Sequence, residues 1–364
     1  MHVNEENQAP SSDETKIVAA APSGSEPSRR DFLKRASILT LTIPGAGAML
    51  TACTPEDAAT AGEHGMTSGE RTGGAAATQL PANAPPLRRY DPVLPPLSSE
   101  RTLRLHWRAN EAPVRISEDR VVNGWTFEGD IPGPVVHCRV GDTVEFTLTN
   151  DGIVPHSMDF HAARVDPKVA FRSVAKGESV TFRFTPKYAG AFMYHCGTAP
   201  VLMHIGAGMF GAIIVSPRTP LPPAKEFVIV QSEYYFGDPV DGVIQFDFNR
   251  MLTTMPDVVC FNGRPGQYIR EPLRVKVGDR VRFWVVSAGP NHISSFHVVG
   301  EQFETVYLGA PPGNAIHGVQ TFSVPAGGGM VFELVCDVPG EFPFVNHSFG
   351  HGEKGSVGLL VVEP

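Results

Sequence analysis

The sequence predicts an all-β protein made of two tandem β-barrels behind an N-terminal leader and tether. Three observations predict it. Short segments such as TVEFTLTN (143–150) and SVTFRFT (179–185) alternate apolar and polar residues with the period of a half-buried strand. The 37 glycines and 33 prolines punctuate the chain at turn spacing and leave little room for long helices. RVGDTVEF (139–146) returns as KVGDRVRF (276–283), so one unit is written twice.

In chain order, residues 1–53 read as an export region. Residues 1–27 are polar and rich in Ser, Glu and Pro, and SRRDFLK (28–34) then precedes a modestly apolar stretch ending in LTAC (50–53). Paired arginines before a short apolar segment predict a twin-arginine signal, and the ending resembles a lipobox that would place a lipid on Cys53. Residues 54–98, rich in Ala, Gly, Thr and Pro, read as a flexible tether. The first barrel is expected over 99–217, a proline-rich linker over 218–226 and the second barrel over 227–364.

The chemistry concentrates in YHCGTAPVLMHIGAGMFGAIIV (194–215). Cys196, His204 and Met209 stand as Cys-x7-His-x4-Met, and PHSMDFH (155–161) adds His156. A thiolate, two imidazoles and a thioether form the donor set of a blue, electron-transferring copper site. Successive strand residues point to opposite faces, so His195 looks away from the Cys196 side. The five-residue spacing of His156 and His161 gives the same parity, and Asp159 shares the His161 face if that segment is extended. A second set, His161 and His195 with Asp159 beside them, is therefore expected on the outside of the barrel.

The repeat assigns the other histidines. His292/His297 correspond to His156/His161, and AGAFMYHCG (189–197) to PGEFPFVNHS (339–348). Asn346 then stands where Cys196 stands and Ser356 where Met209 stands, so the second barrel has lost its blue site and His292 and His351 are remnants of it. His347 lies one residue beyond that register and is no such relic.

The motifs PHSMDFH, YHC, HIGAGM and FVNH together resemble those of the two-domain copper-containing nitrite reductases, a branch of the multicopper oxidases. The resemblance covers roughly residues 100–364 and implies two cupredoxin-like Greek-key barrels. It implies one type 1 copper on His156, Cys196, His204 and Met209, and one type 2 copper on His161, His195 and His347. Nitrite, or a similar small ligand, would bind at the second copper and be reduced to nitric oxide. Asp159 would hydrogen-bond and protonate it. The resemblance further implies a homotrimer in which a neighbour donates His347, and a cupredoxin or cytochrome as electron donor. Two departures stand out. The loop from Cys196 to His204 is one residue shorter than the usual one, and Gln302 occupies the place expected for a second catalytic histidine. A glutamine amide can hold water but cannot exchange a proton as an imidazole does. Low turnover, with Asp159 as the main titrating group and a gain from Gln302→His, is the expectation.

Composition narrows the alternatives. The formal net charge of −8, without a basic block past the leader, argues against nucleic acid. Past the leader no apolar run reaches membrane-spanning length, which leaves a lipid on Cys53 as the membrane contact. Cys138, Cys260 and Cys336 read as buried thiols, with a Cys260–Cys336 bridge as the alternative. A laccase-like cluster of three coppers uses His-x-His pairs, and none of the 13 histidines lies two residues from another. Other uses of an open copper (dioxygen or hydroxylamine as substrate), or a relay lipoprotein without catalysis, are the rival readings. Export would place the protein in the periplasm or at the cell surface.

Overall fold

The computed structural model describes residues 80–364; the export region, Cys53 and the tether up to residue 79 lie outside the described residues. The first barrel comprises β1 (Thr102–Ser117), β2 (Arg120–Phe127), β3 (Val136–Arg139), β4 (Thr143–Asn150), β5 (Asp159–Phe160), β6 (Ser179–Phe184), β7 (Gly190–His195) and β8 (Phe210–Ser216). The second half carries β9 (Lys225–Tyr234), β10 (Phe236–Val240), β11 (Val243–Phe246), β12 (Val258–Phe261), β13 (Leu273–Lys276), β14 (Arg280–Gly289) and β15 (Ser294–Val298). It continues with β16 (Phe303–Tyr307), β17 (Ala315–Val319), β18 (Thr321–Val324), β19 (Gly329–Val335), β20 (Gly340–Asn346) and β21 (Val357–Glu363).

Each half is two packed sheets. In the first, β3-β8-β7-β5 faces β10-β11-β2-β1-β4-β6; in the second, β13-β21-β20-β15-β18 faces β12-β9-β14-β19-β16-β17. The alternation read from the sequence is met residue by residue: in β4 and β6 every second side chain is buried. In both halves the first long strand runs parallel to the strand after the repeated turn, β1 with β4 and β9 with β14. The turns themselves are copies. Gly141 and Gly278 sit at φ +86° and +88°, a left-handed conformation that glycine adopts without a Cβ penalty. The following aspartates accept the same backbone bond, Arg139 N to Asp142 at 2.8 Å and Lys276 N to Asp279 at 2.9 Å.

Two boundaries differ from expectation. Residues 80–98 were expected to be tether, yet Leu94 is buried and its N–H donates to Glu226 O, while Val228 N–H donates to Pro92 O. Proline-spaced but extended, this stretch keeps free backbone groups beside β9, and Tyr90 OH donates to Gly133 O. The second half is also not self-contained, because the β10–β11 hairpin extends the first barrel's sheet beside β2. Asn123 donates to Gln245 across that seam at 3.0 Å. One apolar cluster accordingly joins the halves, with Met193, Ala212 and Ile214 of the first against Trp284, Val286 and Val331 of the second. Cys138, Cys260 and Cys336 are buried free thiols.

Candidate metal centres

The end of β7 positions both sites. Its last residue, His195, and the next, Cys196, leave the strand on opposite faces as strand parity requires. Cys196 is fully buried and is held by its own return loop: Cys196 N–H donates to Met209 O and Met209 N–H donates to His204 O, both at 3.0 Å. Between them the short helix Val201–Gly206 brings His204 back under the thiol. Sγ of Cys196 lies 3.1 Å from His204 Nδ1, which lies 3.3 Å from His156 Nδ1. Ser157 N–H donates to the sulfur at 3.3 Å. His156, Cys196 and His204 therefore converge, each at most 2% exposed, and Met209 is buried beside them, tied by its backbone to Cys196 and His204.

That cluster fits a cation. Burial pushes the Cys196 thiol up despite bonds from Ser157 and Thr198, and burial together with His156 holds the His204 imidazole down, to about 4. Burial likewise lowers His156. Two neutral imidazoles and a sulfur thus turn their lone pairs on one point, where a metal ion would relieve their mutual repulsion. Trp125 stands edge-on to both rings, 5.9 Å from His156 and 4.7 Å from His204.

The second site lies on the other face. β5 pairs with β7 so that Asp159 is opposite His195, and a turn after β5 brings His161 alongside. Asp159, His161 and His195 each offer a donor atom within 4.8 Å of the others. The Nε2 atoms of the two histidines are 3.0 Å apart. Their Nδ1 atoms are committed elsewhere: His161 Nδ1–H donates to Gly327 O and His195 Nδ1–H donates to Cys196 O, each at 2.9 Å. A neutral imidazole with its proton on Nδ1 has a lone pair on Nε2, so two lone pairs face each other across this gap. That is the donor arrangement of a metal site, and Asp159 Oδ2 stands 4.0 Å from His195 Nε2. Gly327 belongs to the second half of the chain, and no motif in the sequence pointed to its carbonyl as the group that orients His161.

His347 is elsewhere. It follows β20, is exposed, and is not in the Asp159, His161 and His195 group of its own chain. Its backbone N–H donates to Ser295 O at 2.7 Å, and its ring lies 5.2 Å from that of His297. Gln302, at the place expected for a second catalytic histidine, lies apart from His347 in sheet order. Gly300, at φ +85°, turns the chain out of β15, so Gln302 precedes β16 in the opposite sheet and is exposed. His297 pairs with Val345 in the β15–β20 ladder and is therefore the diagonal neighbour of His347 on one face. The histidine beside His347 is thus His297, five residues before Gln302.

The remnant site is preserved in outline. His292 and His351 stand 4.5 Å apart where His156 and His204 stand 5.3 Å apart. Asn346 N–H donates to Ser356 O at 3.1 Å, as Cys196 does to Met209. In place of a metal, Asn346 Nδ2 lies 3.3 Å from His351 Nδ1 and donates to Gln231 at 2.9 Å.

Fold and donor sets together define a two-barrel multicopper-oxidase type of protein, and residues 109–220 match the family described as multicopper oxidase. A copper-containing nitrite reductase of Neisseria meningitidis is 39% identical over 270 residues, 72% of this chain and 69% of that protein. Another, from Cereibacter sphaeroides, is 32% identical over 70% of this chain and 75% of its own length. Among solved structures, a copper nitrite reductase from Nitrosomonas europaea superposes with a TM-score of 0.68 at 36% identity, covering 72% of this chain and 94% of that one. The chain belongs to the copper-containing nitrite reductases.

Proposed function

We propose that this protein reduces nitrite to nitric oxide, taking one electron and two protons per nitrite and releasing one water. The observation that carries the reading is the adjacency of His195 and Cys196, which joins two metal-type donor sets by a single peptide link. Copper held by His156, Cys196, His204 and Met209, and by His161, His195 and a third imidazole, would supply reversible one-electron exchange and an open position for a small anion.

The chain's own residues account for the rest. Cys196 and His195 are linked twice, through the backbone and through the bond from His195 Nδ1 to Cys196 O, which provides a short route for the electron. Asp159 stands beside the His195 nitrogen, placed to hold a proton against a nitrite oxygen. His297 adjoins His347 and offers a second proton-exchanging group. His347 lies apart from the Asp159, His161 and His195 group of its own chain, which supports a third ligand donated by His347 of the partner subunit in a homotrimer. One type 1 and one type 2 copper per chain follow.

The reading extends to location. The twin-arginine segment and Cys53 support export and lipid attachment, hence action in the periplasm or at the cell surface with a cupredoxin or cytochrome as donor. Anaerobic turnover of nitrite by the copper-loaded protein, with direct detection of nitric oxide, tests the activity. A protein with both copper signals that forms no nitric oxide would overturn it.

A further inference from the structure

His156 faces, on its far side, a carboxylate that neither donor set includes. Its Nε2 is buried without a hydrogen-bond partner, and Glu111 Oε1 faces it at 3.4 Å, at ion-pair distance. Glu111 sits in β1 directly opposite Trp125 of β2, so the two share a face and bracket the ring, one at its nitrogen and the other at its edge. The carboxylate is itself anchored. Ile153 N–H donates to Oε2 at 2.9 Å and Val154 N–H to Oε1 at 3.5 Å, both from the loop that leads into His156. Gly152 makes the approach possible, because a Cβ there would lie 2.8 Å from Glu111 Oε2 and 2.9 Å from His156 Nε2.

The repeat supplies an independent observation. Leu103 pairs with Val144 in the first half and Lys225 with Val281 in the second, and Val144 and Val281 are the same position of the repeated RVGDTVEF and KVGDRVRF segments. Counting along the paired strands places Glu233 of β9 where Glu111 stands in β1. Glu233 is fully buried and accepts the backbone N–H of His292, the counterpart of His156, at 2.6 Å. A carboxylate on the first histidine is therefore built into both copies. Only in the half with a complete donor set does it face the ring nitrogen.

We propose that Glu111 is a positioning residue of the blue site: it holds the proton of His156 on Nε2, keeps Nδ1 free for copper, and lowers the reduction potential through its negative charge. The inference rests on the copper reading above. A carboxylate behind a ligating imidazole makes that ligand a stronger donor and favours the more highly charged, oxidised metal. Its half-buried position beside the ring reduces screening by solvent. The site would then be tuned toward passing its electron onward to the second centre.

The test is a redox titration of the blue absorption in the copper-loaded full chain, comparing wild type with Glu111→Gln, Glu111→Asp and Glu118→Gln, the last removing an exposed carboxylate from the β1–β2 turn. Glu111→Gln is expected to keep the blue band and shift the exchange equilibrium with a fixed mediator about tenfold toward the reduced protein, about 59 mV for a one-electron couple. Glu111→Asp, which keeps the charge at greater distance, should fall between, and Glu118→Gln should match wild type. An intact blue band with an unmoved potential in Glu111→Gln overturns the proposal, as does an equal shift in Glu118→Gln. Should Glu111→Gln not hold copper, an unchanged potential in Glu111→Asp overturns it. A wild-type protein without a blue band overturns the site reading and this proposal together, whereas a blue wild type indifferent to Glu111 overturns this proposal alone.

Discussion

His195 and Cys196 are consecutive residues whose donor atoms serve different centres: His195 Nε2 is 3.0 Å from His161 Nε2, and Cys196 Sγ is 3.1 Å from His204 Nδ1. The pleat of β7 separates the two centres while the backbone joins them.

Single substitutions should therefore remove the centres one at a time. Cys196→Ser is expected to abolish the blue absorption and leave an ordinary cupric resonance. His195→Ala is expected to do the reverse, and both should lower nitrite turnover by at least about a hundredfold. Loss of both signals in either variant would mean that the two sites do not load independently.

The position of His347 gives a prediction about assembly. If the second site is shared between subunits as proposed, His347→Ala and His161→Ala should each be inactive alone, because each removes one side of it. Refolded together as mixed ring assemblies, they should regain about a quarter of the sites, since a neighbouring pair then carries one intact half from each parent. Activity that stays at the level of the separate variants would place His347 in its own chain's site.

His137 offers a stability test away from copper. Its Nδ1–H donates to Pro95 O and its Nε2 accepts from Ser216, and burial lowers its pKa below the ordinary imidazole value. The unfolded chain then takes up the proton first as pH falls. The contribution of neutral His137 is thus complete above about pH 6.5 and is lost as pH falls toward the depressed folded-state value. Melting curves of the copper-loaded protein should show wild type losing ground relative to His137→Gln on acidification through that window. A difference that stays constant would remove His137 as a titrating group.

Much of this was legible in the sequence because it follows from period and spacing. Strand alternation fixed the faces of β4 and β6, parity separated His195 from Cys196, and Cys-x7-His-x4-Met set the return loop. Less legible were features that depend on contacts between distant segments. The docking of Leu94 beside β9, the β10–β11 hairpin crossing to the first barrel, and the Gly327 carbonyl that orients His161 leave no local signature. Asn346 and Ser356 were found as counterparts of lost ligands through register, and their backbone bond confirms that register.

Gln302 and His297 are the two candidates for the second proton-exchanging position, and they yield the last prediction. Counting residues along the chain cannot tell which sheet follows a turn, and the turn at Gly300 carries the chain from β15 to β16 in the facing sheet. His297 stays in β15, where the ladder with β20 sets it diagonal to His347. If proton supply depends on an imidazole beside the third ligand, His297→Ala should lower turnover by about 10²-fold or more and flatten one limb of the pH–rate profile, with both copper signals kept. Gln302→Ala should change turnover little, and Gln302→His should add no inflection, because the side chain lies outside the paired histidines. A strong gain from Gln302→His, with His297→Ala near wild type, would return the role to position 302 and require the β15–β16 turn to bring that side chain back toward His347.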